Sequence, residues 1–357
     1  MLEDFIDILI CPNTKEKLSL ISRTELLQMW KNRTIELPHG DQFLINESKS
    51  FLYRFSPYGF PILIPEQAIP LEIIVHSISV ALSDSQTISF ETLKKHKENL
   101  ETVYRKDNYV KSPAGRKPER SAYESSAVHK PAAENLKPGS VLDGGCGIGF
   151  FRRFTRGRFH LMLDVSEVNL SYNFAPHKVL GRTECIPIRD ETFDNVVSLR
   201  SLEHCQDVQT SIAELTRCLK PSGRFLVACW REDWPACLRG SPWVYTNIVY
   251  FFIKAFLLAK NNPKVFWDRV FYKLKLKKTK SEKEAVFWDK DATKIYSRRF
   301  NRDAFQKMLE KVGLKVLKKG YCGVESPGIN LPKFITDRYF DSEKYGLFLY
   351  FVCEKSG

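Results

Sequence analysis

The sequence predicts an α/β protein: a sheet with helices on both faces, a small α+β unit ahead of it, and a helical insertion late in the chain. Three observations carry this expectation. An apolar run ends in an acid and a glycine loop at Val141-Leu142-Asp143-Gly144-Gly145-Cys146-Gly147-Ile148-Gly149. A second run, His160-Leu161-Met162-Leu163, ends at Asp164, 21 positions after Asp143. Ile212, Leu215 and Leu219 then recur at helical spacing ahead of Pro221-Ser222-Gly223 and the strand-like stretch 224–230.

The elements follow in chain order. Residues 1–70 read as a small separate unit, opening on the apolar stretch 5–12 and Lys17-Leu18-Ser19-Leu20, and closing on Tyr58-Gly59-Phe60-Pro61-Ile62-Leu63-Ile64-Pro65-Glu66. Residues 71–120 form a connector: apolar over 71–82, charged and helical over 90–104, and a loop over 112–118. The core is expected over 121–234 and 291–357. It begins with a helix over 121–136, interrupted near Pro131.

The loop that follows brings bare backbone against a ligand, because glycine has no Cβ and tolerates positive φ. Its Gly-x-Gly-x-Gly spacing differs from the Gly-x-Gly-x-x-Gly that cradles a pyrophosphate. An acid at its head suits an ammonium group better than a phosphate. A short helix is expected over 150–158. Asp164 stands where a nucleotide-binding α/β fold places the acid that accepts ribose hydroxyl protons, or else it caps the helix at Glu167.

The run Phe193 to Leu199 reads as a buried strand, 211–220 as an amphipathic helix stopped by Pro221-Ser222-Gly223, and 224–230 as the next strand. Asn301 to Val312 forms a helix ended by Gly313, and strands follow over 314–317 and 347–353.

The insertion over 235–290 is dense in aromatics between Trp243 and Trp288, with lysines Lys273, Lys275, Lys277, Lys278, Lys280 and Lys283 in or after them. Three readings stand side by side: a helical lid with an apolar underside, a lid lying on a membrane surface or a lipid substrate, and a stacking and basic surface for RNA.

From Ser140 to Trp230 the residues resemble class I S-adenosylmethionine (AdoMet) methyltransferases of the type 11 kind. Motif I is the glycine loop; Asp164, the segment Glu184-Cys185-Ile186-Pro187-Ile188 with Phe193-Asp194, and Leu219-Lys220-Pro221-Ser222-Gly223-Arg224 follow in the family's order. The resemblance implies a Rossmann-like seven-stranded methyltransferase sheet and AdoMet as methyl donor. It also implies a cofactor-binding set. Asp143 would hold the methionine ammonium, Gly145, Gly147 and Gly149 would admit the amino-acid portion, and Asp164 would fix the ribose. Thr183, Glu184 and Leu199 complete the set, and Tyr123 is a candidate for closing over the cofactor.

His204 is the candidate general base, since it follows the fourth core strand and titrates near neutrality when unperturbed. Glu203 is a weaker candidate beside it. Three departures from the family stand out. Arg182 occupies the place of an adenine-binding Asp, the first two core helices look short, and Leu199-Arg200-Ser201-Leu202-Glu203-His204 replaces the Asn/Asp-Pro-Pro-Tyr/Phe signature of amide and base N-methylation.

Residues 1–70 resemble the small activator subunit of tRNA and release-factor methyltransferases, with the zinc ligands lost. Asn13-Thr14 follow Cys11-Pro12, and a lone thiolate cannot complete a tetrahedral site.

Composition sets the outer bounds. At 43% hydrophobic and 27% charged, the 357 residues describe a globular protein rather than a disordered one. Nine scattered cysteines without a Cys-x-x-Cys favour neither disulfides nor a metal site, and they fit a reduced, cytoplasmic compartment. Met1-Leu2-Glu3-Asp4 does not open a secretory leader. The apolar stretch 244–259 contains Asn247 and Lys254 and is shorter than the roughly 20 residues a spanning helix needs, so no transmembrane segment is expected. The net charge of +13 favours anionic partners: RNA, acidic lipid head groups or phosphorylated substrates.

The expected function is methyl transfer from AdoMet to O or C of a small-molecule, lipid-linked or glycan-type acceptor. The alternatives are an RNA or protein methyltransferase with a built-in activator, and a non-catalytic AdoMet-binding protein.

Overall fold

A computed structural model describes residues 5–29, 40–71, 128–232 apart from 156 and 174, 287–288, 294–295, 298–322, 346 and 348–356. The connector beyond Leu71, Tyr123 and the insertion's expected lid over 243–286 lie outside the described residues.

The N-terminal strands β1 (Leu18–Ser22), β2 (Gln42–Asn46), β3 (Phe51–Arg54) and β4 (Ile69–Pro70) form one antiparallel sheet in sequential order, with helix α1 (Arg23–Met29) after β1. The core strands are β5 (Val141–Gly144), β6 (His160–Asp164), β7 (His177–Leu180), β8 (Phe193–Leu199) and β9 (Leu219–Trp230). A two-residue pairing of β10 (Phe287–Trp288) with β11 (Lys294–Ile295) precedes β12 (Leu314–Cys322) and β13 (Phe348–Lys355). The seven-stranded sheet runs β12-β13-β9-β8-β5-β6-β7. Its pairs from β7 to β9 are parallel, and β13 inserts antiparallel beside β9. This is the expected seven-stranded Rossmann-like sheet.

Alternation along the strands explains why the sheet is covered twice. Val196, Phe225, Val227 and Phe351 enter one apolar cluster, while their neighbours Val197, Leu226, Ala228 and Val352 enter another. Successive side chains point to opposite faces, so both faces must be packed. On the first face lie α3 (Val208–Arg217) and α4 (Arg302–Lys311), through Ile212, Leu215, Phe305 and Leu309. On the second lie Val128, Ala132 and Phe151. The short helix α2 (Glu167–Tyr172) stands between β6 and β7.

Several local expectations are corrected. In place of a helix over 150–158 there is one 3-10 turn, Phe150–Phe154, because Gly157 turns the chain at φ 82 toward β6. Residues 128–134 remain helical through Pro131, without the expected interruption. Helix α3 ends at Arg217, before Pro221, and β9 absorbs Pro221-Ser222-Gly223 where its register with β8 shifts and Ser222 takes φ 57. A proline fits there because a ladder irregularity relieves the need for its missing N–H. The last two strands also run longer than expected.

One face of the N-terminal sheet packs Ile21, Leu26, Phe43, Ile45, Leu52 and Leu71 into a small cluster of its own, while the other face joins the core of the large sheet. Phe5, Leu9, Leu18, Leu44, Tyr53 and Leu63 share one apolar cluster with Leu161, Ile186 and Leu215. Ile62 bridges Leu180 in parallel, with Leu63 N–H donating to Leu180 O at 2.8 Å and Leu180 N–H to Pro61 O at 3.0 Å. The segment therefore extends the edge of β7, where unpaired backbone groups would otherwise face solvent. Lys15–Glu214 at 3.1 Å and Arg182–Glu66 at 2.7 Å pair across the same seam. Cys11 is buried, with its sulfur 3.1 Å from the Tyr53 hydroxyl. Among the described residues no cluster of metal-ligating side chains occurs, and no helix is long and apolar enough to cross a membrane.

A shared core predicts shared melting. Calorimetry should show one unfolding transition for the N-terminal unit and the large sheet, and Leu63→Ala should lower the stability of both together by about 2–5 kcal/mol. Two separable transitions would contradict the common core.

Candidate functional site

The order of the sheet reverses beside β5, whose neighbours β6 and β8 leave in opposite directions. Ligands of open α/β sheets bind at such a point, outside the carboxyl ends of the strands. Here β5 ends in Asp143-Gly144 and β6 in Asp164.

The glycine loop is anchored from β6. The N–H groups of Gly145 and Cys146 donate to Leu163 O at 2.8 and 3.1 Å, and Gly147 N–H donates to Asp164 Oδ2 at 2.7 Å. Asp164 Oδ1 accepts Ser166 N–H at 2.8 Å. The helix cap is Ser166, whose hydroxyl accepts Asn169 N–H, so Asp164 is not spent on capping α2. The Asn169 side chain also bonds to Asp164, and the carboxylate keeps lone-pair capacity beyond these contacts for a hydroxyl donor.

Gly147 sits at φ 54 with open space where a Cβ would stand. Gly145 and Gly149 serve a different end. A Cβ on Gly145 would strike Ser201, and one on Gly149 would strike the Asn173 amide. Ser201 Oγ donates to Gly144 O at 3.0 Å, and Asn173 reaches Cys146 Sγ at 3.6 Å and Gly147 O at 3.5 Å. Glycine is thus required at these two positions by the protein's own braces. Nothing in the sequence pattern had singled out Ser201 or Asn173.

Asp143 is 3% exposed, and no hydrogen bond to its carboxylate is found among the described residues. Burial, and then the Asp164 charge, push its pKa up to about 8. Asp164 is also raised by burial, against the hydrogen bonds from Ser166 and Gly147. Two neighbouring carboxylates deprived of water are poorly compensated, and a cation between them would relieve both.

The remaining expected residues fall around this pair. Thr183 Oγ1 lies 3.2 Å from both Cys205 Sγ and Ser211 Oγ. Glu184 Oε1 accepts Gln206 N–H at 3.1 Å. Arg182 turns from the crevice to Glu66, with its Nε 3.8 Å from Glu184. Glu214 and Arg217 clamp the following segment, through Ile186 N–H to Glu214 at 2.9 Å and Arg217 to the carbonyls of Ile186 and Ile188. Leu199 ends β8 and packs into the second cluster.

His204 closes the 3-10 turn Leu202–His204, its N–H donating to Ser201 O at 2.9 Å, and its charge acts on Asp164 and Glu203. Glu203 is 0% exposed and both its carboxylate oxygens lack a hydrogen-bond partner. It therefore lies inside the protein rather than on the crevice wall.

Residues 142–227 match the family model described as a methyltransferase domain. The chain is 34% identical over 102 residues to a protein of Methanocaldococcus jannaschii named only as uncharacterized, covering 28% of this chain and 44% of that one. It is 34% identical over 108 residues to malonyl-(acyl-carrier protein) O-methyltransferase of Erwinia pyrifoliae, covering 28% of this chain and 41% of that protein. The chain spans less than half the length of these curated relatives.

Among solved structures it is similar to a Burkholderia thailandensis 1,6-didemethyltoxoflavin-N1-methyltransferase bound to S-adenosylhomocysteine. The TM-score is 0.44 and the identity 14%, over 79% of this chain and 99% of that chain. It is also similar to a complex containing the Haloferax volcanii Trm112 methyltransferase activator, with TM-score 0.45 and identity 15% over 73% of this chain and 97% of that chain.

The Asp143 shift has a consequence for the ligand-free protein. Its folded pKa of about 8 lies above the unfolded carboxylate value, so the folded state holds a proton that the unfolded chain releases. The stabilising contribution is complete below about pH 4 and is lost progressively as pH rises to about 8. Asp143→Asn, which cannot ionise, should therefore gain melting temperature relative to the wild type between about pH 5 and about pH 8. An equal difference at both pH values would contradict the buried, uncompensated carboxyl.

Proposed function

We propose that this chain is an AdoMet-dependent methyltransferase that methylates O or C of a small-molecule, lipid-linked or glycan-type acceptor. The open space at Gly147, whose N–H donates to buried Asp164 and so stands near the neighbouring buried Asp143, is the observation that carries the reading. The methyltransferase-domain match over residues 142–227 supports it.

The residues present suit the donor. Asp143, with no hydrogen bond of its own among the described residues, would receive the methionine ammonium. The bare backbone at Gly147 would admit the amino-acid portion, and Asp164 would take ribose hydroxyls on its spare lone pairs. Thr183, Glu184 and Leu199 would border the adenosine. When bound, the donor supplies a methyl already activated on a sulfonium, so the protein's task is alignment. Where the acceptor must shed a proton, His204 would accept it, beside the same crevice. Glu203 would act from within, on the charge of its neighbours.

Curated relatives named malonyl-(acyl-carrier protein) O-methyltransferase support an acceptor oxygen. A second reading, an RNA or protein methyltransferase with its activator in cis, draws on the docking of the N-terminal sheet against β7.

Two experiments test the proposal. Full-length protein with radiolabelled AdoMet should transfer label to O- or C-nucleophilic small acceptors, and the transfer should change little with moderate salt. Transfer to RNA that falls steeply with salt would favour the second reading. Donor binding without any transfer would leave a non-catalytic AdoMet-binding protein.

The second experiment measures S-adenosylhomocysteine binding against pH. Below about pH 8 the ammonium must displace the Asp143 proton, so affinity should rise by up to about tenfold per pH unit and level off above it. Binding that does not change over this range, or that keeps its slope in Asp143→Asn, would remove Asp143 from the role.

A further inference from the structure

Arg200 is left unexplained by the donor site. It follows the last residue of β8 and holds φ 63, a left-handed conformation uncommon for a side chain of this size. Its N–H donates to Ala228 O at 2.7 Å, which fixes the turn against β9. The guanidinium carbon lies 5.0 Å from the centroid of the Phe348 ring, and Phe348 packs on Trp230 with centroids 4.5 Å apart.

Among the described residues the opposing group that this cation acts on is the buried Glu203 carboxyl, whose pKa Arg200 pulls down. The Arg200 Nε is buried without a hydrogen-bond partner, and no ion pair to it occurs among the described residues. Glu203, three positions on, forms no hydrogen bond to it, and burial raises the Glu203 pKa toward the neutral form, outweighing the downward pull of His204 and Arg200. On the other side His129 is kept neutral, its pKa lowered to about 3 by burial and then by the Arg200 charge. A strained backbone thus holds, on an aromatic floor, a guanidinium that makes no direct ion pair among the described residues. The next residue, Ser201, braces the glycine loop through Gly144 O. A planar fork of donors in that setting suits an oxyanion, and the aromatic rings suit an apolar body.

We propose that Arg200 determines acceptor specificity by binding an oxyanion, a carboxylate or a phosphate, on an otherwise apolar acceptor held beside the donor. The inference rests on the methyltransferase reading and deepens it.

The test uses the full chain saturated with S-adenosylhomocysteine and titrated with octanoate, octyl phosphate, octanol and octylamine. At least one anionic probe should bind about tenfold or more tighter than octanol and octylamine, and the stronger of the two identifies the oxyanion. Arg200→Asn keeps a residue that tolerates the left-handed backbone. It should lose that preference while S-adenosylhomocysteine affinity and melting temperature hold. Arg200→Gly reports the same loss should the Asn variant fold poorly.

A wild type that does not discriminate among the head groups overturns this inference alone, as does discrimination that survives both substitutions. Failure of the wild type to bind S-adenosylhomocysteine overturns the methyltransferase reading and this inference with it.

Discussion

The structure turns on two buried neighbouring carboxylates that resist being charged at the same time. Asp143 and Asp164 end adjacent parallel strands, and both are buried. Water is largely excluded from them, and their like charges oppose each other. One has solved half of its problem by accepting two backbone N–H groups, including that of Gly147. The other accepts no hydrogen bond among the described residues. The loop between the strands is shaped by this contest. Its amides lean on β6, Ser201 and Asn173 brace it from either side, and the one stretch left bare is the backbone at Gly147. Electrostatic strain of this kind persists where function compensates for it.

Much of this was legible in the sequence because it is written locally. An apolar run of strand length announces a buried strand, and β5, β6 and β8 lie where such runs predict. The acids that end β5 and β6 were legible for the same reason. Element ends were less legible where a breaker has a second use. Pro221-Ser222-Gly223 looks like a helix stop, yet α3 has already ended at Arg217 and the three residues form an irregularity inside β9. Gly157 ended the turn after the glycine loop earlier than helix propensity suggested. The supports of the loop were not legible at all, since Ser201 and Asn173 act across long sequence separations and are of a type common in any loop.

The seam with the N-terminal unit shows the same limit. Its own pattern predicted a small α+β unit, but no periodicity reveals that Ile62 pairs with Leu180 or that Leu63 joins the apolar cluster of the large sheet. The seam also accounts for Arg182. Against the family pattern that the sequence resembles, a basic residue at this position is a departure. Viewed from the seam, it is the partner of Glu66, 2.7 Å away. The position thus serves the docking of the two sheets.

The most direct test of the account is a calorimetric titration of S-adenosylhomocysteine into the wild type and into Gly147→Asn. Asparagine tolerates the φ of 54 at this position and fills the open space beside it. The account predicts one site per chain in the wild type and a loss of about a hundredfold or more in the variant, with the melting temperature little changed. Equal affinity in the two proteins, or no binding by the wild type, would contradict it.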